Sequence, residues 1–232
     1  KQTSNHINGN GENYIYIAIR RGPMAVPESA TDVFATAFDA GATNPTYVSG
    51  FVADMGIQTN TGGYNKRVSS RLTSGTFLEA DNTAAEATST SNYTWDFMNG
   101  WNNQTINSTW LSWMWKRAPN YFDVVAYTGE GTKQTISHNL GVAPEMMWIK
   151  VRSTTQHWAV YHPDLPGSGK FISQNNNWDG NNTNSTFWDG ETPTSTTFSV
   201  GATGVNNSYV NGSGNTYIAY LFASLPGISK VG

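Results

Sequence analysis

The chain has 232 residues, a net charge of -3, no cysteine, and Asp, Glu, Lys and Arg at only 12%. That is about half the ~25% charged content usual in globular domains, so Ser, Thr, Asn and Gly carry the solvated surface. The lack of a basic cluster argues against nucleic acid as a partner; the lack of cysteine removes disulfides and thiolate metal sites, and no apolar run approaches the ~20 residues that would insert in a membrane.

Residues 1 to 22 hold a polar lead and one apolar strand, Tyr14–Ile19, in the string YIYIAIRRGP that ends at Pro23. The same pattern returns as WLSWMWKRAP ending at Pro119 and as YIAYLFASLP ending at Pro226. Runs of about six residues rich in Ile, Tyr, Trp and Phe read as buried strands, and each proline removes a ladder donor and closes its strand. The intervals between the prolines are each the size of one small β-domain, ~100 residues. The chain is therefore expected to divide into 1–23, the closing strand of an upstream or partner unit; 24–119 and 120–226, two complete units; and 227–232, the start of a following unit or a linker. A strand apolar on both faces needs cover and ladder partners, so Tyr14–Ile19 is expected to pair with a sheet outside the first complete unit, making the protein oligomeric or filamentous.

Within the first unit, long helices are disfavoured by the density of Gly, Asn, Thr, Ser and Pro. LEADNTAAEA from Leu78 reads as a short helix or a loop. Its segments fall on those of the second unit: GFVADMGIQTNTG from Gly50 on GVAPEMMWIKVRST from Gly141, and RLTSGTFLEADN from Arg71 on DLPGSGKFISQNN from Asp164. The second unit reads as seven short strands, in FDVVAYTGEGT, QTISHNLGVAP, MMWIKVRS, HWAVYH, KFISQ, TTFSVG and the closing strand at Tyr217. The fold class is all-β, with tandem antiparallel β-sandwich units of jelly-roll or Ig-like type. Trp113, Trp115, Trp148, Trp158, Tyr217 and Phe222 are expected in the core, because each sits in an apolar strand pattern.

Groups that bear chemistry are sparse. His157 and His162 would lie on opposite faces of an ideal strand, which is poor geometry for one metal, and His138 sits in a turn where its imidazole can bond local backbone. Arg20, Arg21, Lys116 and Arg117 close two strands and oppose edge-to-edge association. Twin Trp-Asp-Gly segments place Trp178 beside Asp179 and Trp188 beside Asp189. A ring beside a carboxylate fits a sugar-binding surface, since the ring covers the apolar face of a pyranose while the acid takes its hydroxyls; the alternative for Trp188 and Asp189 is a turn anchored to the core. Asn-x-Ser/Thr triplets begin at Asn92, Asn103, Asn107, Asn181, Asn184, Asn206 and Asn211, the yield expected by chance from an Asn- and Thr-rich chain.

The strings YIYIAIRRGPM, FDVVAYTGEGT, ISHNLGVAPEMMWIK, WAVYH, WDGETPTSTTFSVG and YIAYLFASLPGISKVG resemble a family of repeat-containing virion proteins of marine tailed phages, structural or tail-fibre-like. The resemblance covers nearly the whole chain and is tighter in residues 121 to 232. It implies a phage particle component with tandem β-domains at the virion surface, and it brings no catalytic residue. The resulting expectation is a non-enzymatic structural and adhesive virion component with no cofactor and no metal. Its partners would be other copies of itself, other virion proteins, and a host-surface glycan. An extracellular filament subunit, a carbohydrate-binding module and a polysaccharide depolymerase domain are the alternatives; a depolymerase would need two carboxylates ~5–10 Å apart across a cleft, which spacing in sequence does not reveal.

Overall fold

Alternating apolar strands broken by glycine and proline turns leave the chain one way to hide its aromatic rings, which is to pair strands into sheets and stack the sheets. The computed structural model describes residues 24–41, 44–60, 62–63, 66–89, 92–103, 109–166, 171–175, 187–201 and 207–232. The expected strand Tyr14–Ile19 lies outside the described residues. In chain order the strands are β1 (Phe34–Phe38), β2 (Tyr47–Val48), β3 (Met55–Asn60), β4 (Arg67–Ser70), β5 (Thr76–Glu79), β6 (Ala87–Thr88), β7 (Gly100–Trp101) and β8 (Trp110–Trp115) in the first half. The second half holds β9 (Phe122–Thr128), β10 (Gln134–Ser137), β11 (Met146–Val151), β12 (Ala159–Tyr161), β13 (Phe171–Ser173), β14 (Thr197–Val200) and β15 (Thr216–Phe222). The helical segments among the described residues are short 3-10 turns, such as Ala30–Asp32 and Arg71–Thr73. The stretch from Leu78 closes β5 and continues as a turn into β6 rather than a helix.

The two halves share one strand order. In the first, the large sheet runs β1-β8-β3-β4-β5, extended by β6, and a separate pair joins β2 to β7. In the second, the large sheet runs β9-β15-β11-β12-β13, and the separate pair joins β10 to β14. Every pairing is antiparallel. Each strand except β6 thus has a counterpart at the same place in the other half, β8 matching β15 and β3 matching β11. Detailed contacts repeat as well. Asp54 donates its backbone N–H to the Trp115 carbonyl and its carboxylate accepts the Arg117 N–H at 2.7 Å; Glu145 does the same with the Phe222 carbonyl and the Ser224 N–H. After each closing strand comes a turn with Pro119 or Pro226 followed by a left-handed residue, Asn120 at φ 63° or Gly227 at φ 78°. In both, the N–H of the fourth turn residue bonds back to the carbonyl of the first, Tyr121 to Ala118 and Ile228 to Leu225, as a type II turn requires.

Each large sheet is covered on its outer face by its own strand pair. In the first half Tyr47 and Trp101 pack with Trp95, Trp110 and Met114; in the second Ile136, Phe198 and Val200 pack with Met147, Ile149, Tyr217 and Leu221. The inner faces pack on each other. Met55, Ile57, Val68 and Leu78 of the first half share one core with Phe122, Val124, Trp158, Ile218 and Tyr220 of the second. Polar contacts cross the same seam: the Trp158 indole donates to the Glu79 carbonyl at 2.8 Å, and Arg152 forks onto the Glu86 carboxylate at 2.8 and 2.7 Å. Arg117, two residues past the end of β8, donates to the buried Asp123 of β9 at 2.6 Å, and Asp123 also accepts the N–H groups of Val124 and Asn139.

The second half covers the first only in part. Its strands lie over β3, β4 and β5, so the β1–β8 side of the same face stays open, with Trp113 39% and Phe38 61% exposed. This corrects the expectation that Trp113 is core; Trp158, Tyr217 and Phe222 are buried, and Trp115 and Trp148 are half-buried.

Candidate functional site

Where β8 ends and the second half begins, four aromatic side chains converge without closing. Trp115 is the last residue of β8, Tyr121 sits in the turn that leaves it, Trp148 comes from β11 and Phe222 ends β15. Strand register sets their positions: Met146 pairs with Phe222, and Trp148 with Tyr220, so Trp148 and Phe222 point to the same face with ring centroids 4.9 Å apart. Trp115 is held from the other side by an edge contact with Phe34, centroids 5.1 Å apart. Together with Met146 and the segment from Ser229 to Gly232 they line a recess of about 280 Å³.

The rim of the recess is fixed by the repeated acidic device. Glu145 accepts hydrogen bonds from the Ser224 N–H and hydroxyl, the Ser224 hydroxyl accepts the Val231 N–H at 2.9 Å, and Ser229 donates to the Ala223 carbonyl at 2.9 Å. These bonds hold Lys230 beside the rings as the single charged residue of the lining. An adjoining cleft of about 690 Å³ shares Ser229, Lys230 and Val231 with the recess and extends to His162, Asp164 and Glu145. Chemically the arrangement offers apolar ring surface with one lysine at its edge, and the adjoining cleft adds the carboxylates of Glu145 and Asp164, so it suits a partly apolar ligand.

The residues singled out in the sequence fare differently. Trp178 and Asp179 lie outside the described residues. Trp188 is only 2% exposed and packs edge-on against Tyr161, centroids 5.4 Å apart, so its ring offers no platform to a sugar. Asp189 takes a left-handed conformation in the same turn and pairs with Lys133 at 2.7 Å, an ion pair that also includes Glu191. Beside these two carboxylates the Lys133 pKa is pushed up to about 12. Trp188 and Asp189 therefore anchor a turn, the alternative the sequence left open. His138 accepts the Leu140 N–H at Nδ1 and meets the Thr194 carbonyl at Nε2, a turn role. His157 stacks on Tyr209 and faces Asn175, whereas His162 lies past the other end of β12 beside Asp164; the structure does not bring the two together. Asn103 and Asn211 of the acceptor triplets are buried, the Asn211 amide being spent on the Thr132 and Gly201 carbonyls and the Glu130 N–H.

The recess itself was hidden from sequence reasoning because Trp115 and Trp148 occupy strand patterns indistinguishable from those of buried residues. The one signal available was the clustering of aromatics at the aligned strand ends, Trp115 matching Phe222.

Fold and site define a class: a tandem pair of antiparallel β-sandwich units joined through their large sheets, with an aromatic recess at the joint. The chain belongs to the DUF7483 family, a domain of unknown function whose match covers residues 51–232 and runs through both units. Neither a curated protein nor a solved structure matches the chain.

Proposed function

We propose that the chain is a non-enzymatic structural and adhesive component of a phage virion appendage that touches host-surface glycans through the aromatic recess. One observation carries the reading: two copies of the same unit are fused through their large sheets into a stiff body, and at the seam the rings of Trp115 and Trp148 remain half-exposed rather than packed away. Repetition with a continuous core suits a spacer that must hold its shape, and open aromatic surface on such a body suits recognition. The resemblance of the closing strands to virion repeat proteins supports the same assignment.

Particles of the phage that encodes the chain provide the test. Antibodies against the purified protein are expected to decorate intact particles, and an excess of the protein is expected to slow adsorption to host cells. Label found only on unassembled protein in infected lysates, with adsorption unchanged, overturns the proposal.

A further inference from the structure

Part of the first large sheet is built like a buried face yet lies open, and we infer that it packs against the same face of a second copy of the chain, giving a closed two-fold dimer. The inference does not depend on what the aromatic recess binds.

Strand register puts Phe34, Thr36 and Phe38 of β1 on one face with Leu111, Trp113 and Trp115 of β8, Phe34 opposite Trp115, Thr36 opposite Trp113 and Phe38 opposite Leu111. In the second half the matching positions of β9 and β15 hold Phe122, Val124, Tyr220 and Phe222, where Phe122 pairs with Phe222 and Val124 with Tyr220. All four are buried in the core that Met55, Ile57 and Val68 of the first sheet complete. The first-half set has the same apolar character, and Trp115 borders that core, but Phe38 and Trp113 face solvent. The open patch is thus the uncovered continuation of an established sheet-to-sheet seam, and its buried twin is covered by a sheet of the same kind.

Three observations select a second copy as the occupant. The first is chemistry. β1 and β8 contain no charged residue, and Thr36 is the one polar side chain on the patch, so it offers little to the hydroxyls of a sugar or to an ion. An apolar protein face fits it, and an uncharged patch meets itself without like-charge repulsion. The second is location. The exposed large apolar residues among the described ones, Val26, Phe38, Val48, Leu72, Met98 and Trp113, all belong to the first half. The second half therefore presents no exposed apolar patch to receive β1 and β8 of another copy, which disfavours head-to-tail stacking and leaves the isologous contact, one patch on itself. The third is the border. Among the described residues β1 pairs with β8 alone, and its sequence carries neither charge nor proline to guard that edge. Two strands ~4.8 Å apart and ~17 Å long form a small patch, short of the ~800 Å² per partner of a standard interface. The dimer is accordingly weak, with a dissociation constant on the order of 10–100 μM.

The test is sedimentation equilibrium of the full 232-residue chain from about 1 μM to about 500 μM, a range that brackets that constant. The mass is expected to rise from 25.3 kDa to twice that value and no further. A residue on a two-fold contact appears in it twice, so one lysine per chain would bury two like charges. Trp113→Lys and Phe38→Lys, both at exposed positions, are each expected to weaken the dimer at least about tenfold with unchanged melting temperature; should one of them melt early, the other carries the test. Leu72→Lys, exposed but outside β1 and β8, and Ile17→Lys in the expected strand Tyr14–Ile19 are expected to dimerise like the parent. A chain that stays monomeric throughout overturns the inference, as does growth beyond the dimer, which would mean a head-to-tail contact. A dimer lost in Ile17→Lys but kept in Trp113→Lys and Phe38→Lys would assign the contact to residues 14–19 and overturn it too.

Discussion

Lys150 and Asp123 are both 0% exposed, but where Asp123 has the Arg117 guanidinium, the Lys150 Nζ donates only to the Thr83 carbonyl at 3.3 Å and the Val151 carbonyl at 3.1 Å. Two carbonyls do not replace a hydration shell, and burial pulls the Lys150 pKa down from 10.5 to about 8. The unfolded chain therefore holds this proton more tightly than the folded one. Stability should rise as pH climbs from about 8 to about 10.5, whereas below about 8 both states are protonated and the burial penalty is present in full. Lys150→Met is expected to raise stability at pH 7 by about 1 kcal/mol or more and to remove the rise above pH 8. Urea midpoints of both proteins at pH 7 and pH 10 would check this, and a variant less stable than the parent at pH 7 would refute it. His138 works in the same direction lower on the scale: burial lowers its pKa, so its protonation as pH falls below about 6.5 opposes the fold.

At the scale of a strand, the duplication is kept in topology and edited in detail. Gly56 of β3 stands where Met147 stands in β11, and a Cβ there would lie 2.7 Å from Nε1 of Trp101. The indole of β7 thus fills the space that a side chain fills in the second half, and only glycine lets it approach. Gly56→Ala is expected to cost about 1–3 kcal/mol through overpacking, read as a lower denaturant midpoint with unchanged slope; a shift below about 0.5 kcal/mol would show that the ring moves aside freely. The seven strands of the second half were legible in the sequence because each apolar run is flanked by its own turn residues. The two-residue strands β2, β6 and β7 were not, being too short to carry an alternation. Trp113 and the recess escaped for a common reason: periodicity shows that a strand is apolar on both faces, but which stretch of a face the neighbouring sheet reaches depends on how far the sheets are offset. Trp113 lies beyond that reach, and Trp115 and Trp148 lie at its margin.

For the molecule as a whole, the core shared by Met55, Ile57, Val68, Tyr220 and Phe222 predicts that the halves unfold together. Calorimetry should give one transition with equal calorimetric and van't Hoff enthalpies, and a chain cut between Pro119 and Asn120 should lose that cooperativity and expose the inner faces. Two separated transitions in the intact chain would show that the seam is only a contact between independent units. Such a seam brings a hazard that a single sandwich does not face, because a chain that writes one pattern twice can pair a strand with the wrong twin. Were β11 to take the place of β3 beside β8, Met147 would be driven into the volume of the Trp101 ring. The missing side chain at Gly56 therefore acts as an address: it lets each closing strand tell its own neighbour from the copy, and it makes the small departures from perfect repetition the guardians of correct assembly.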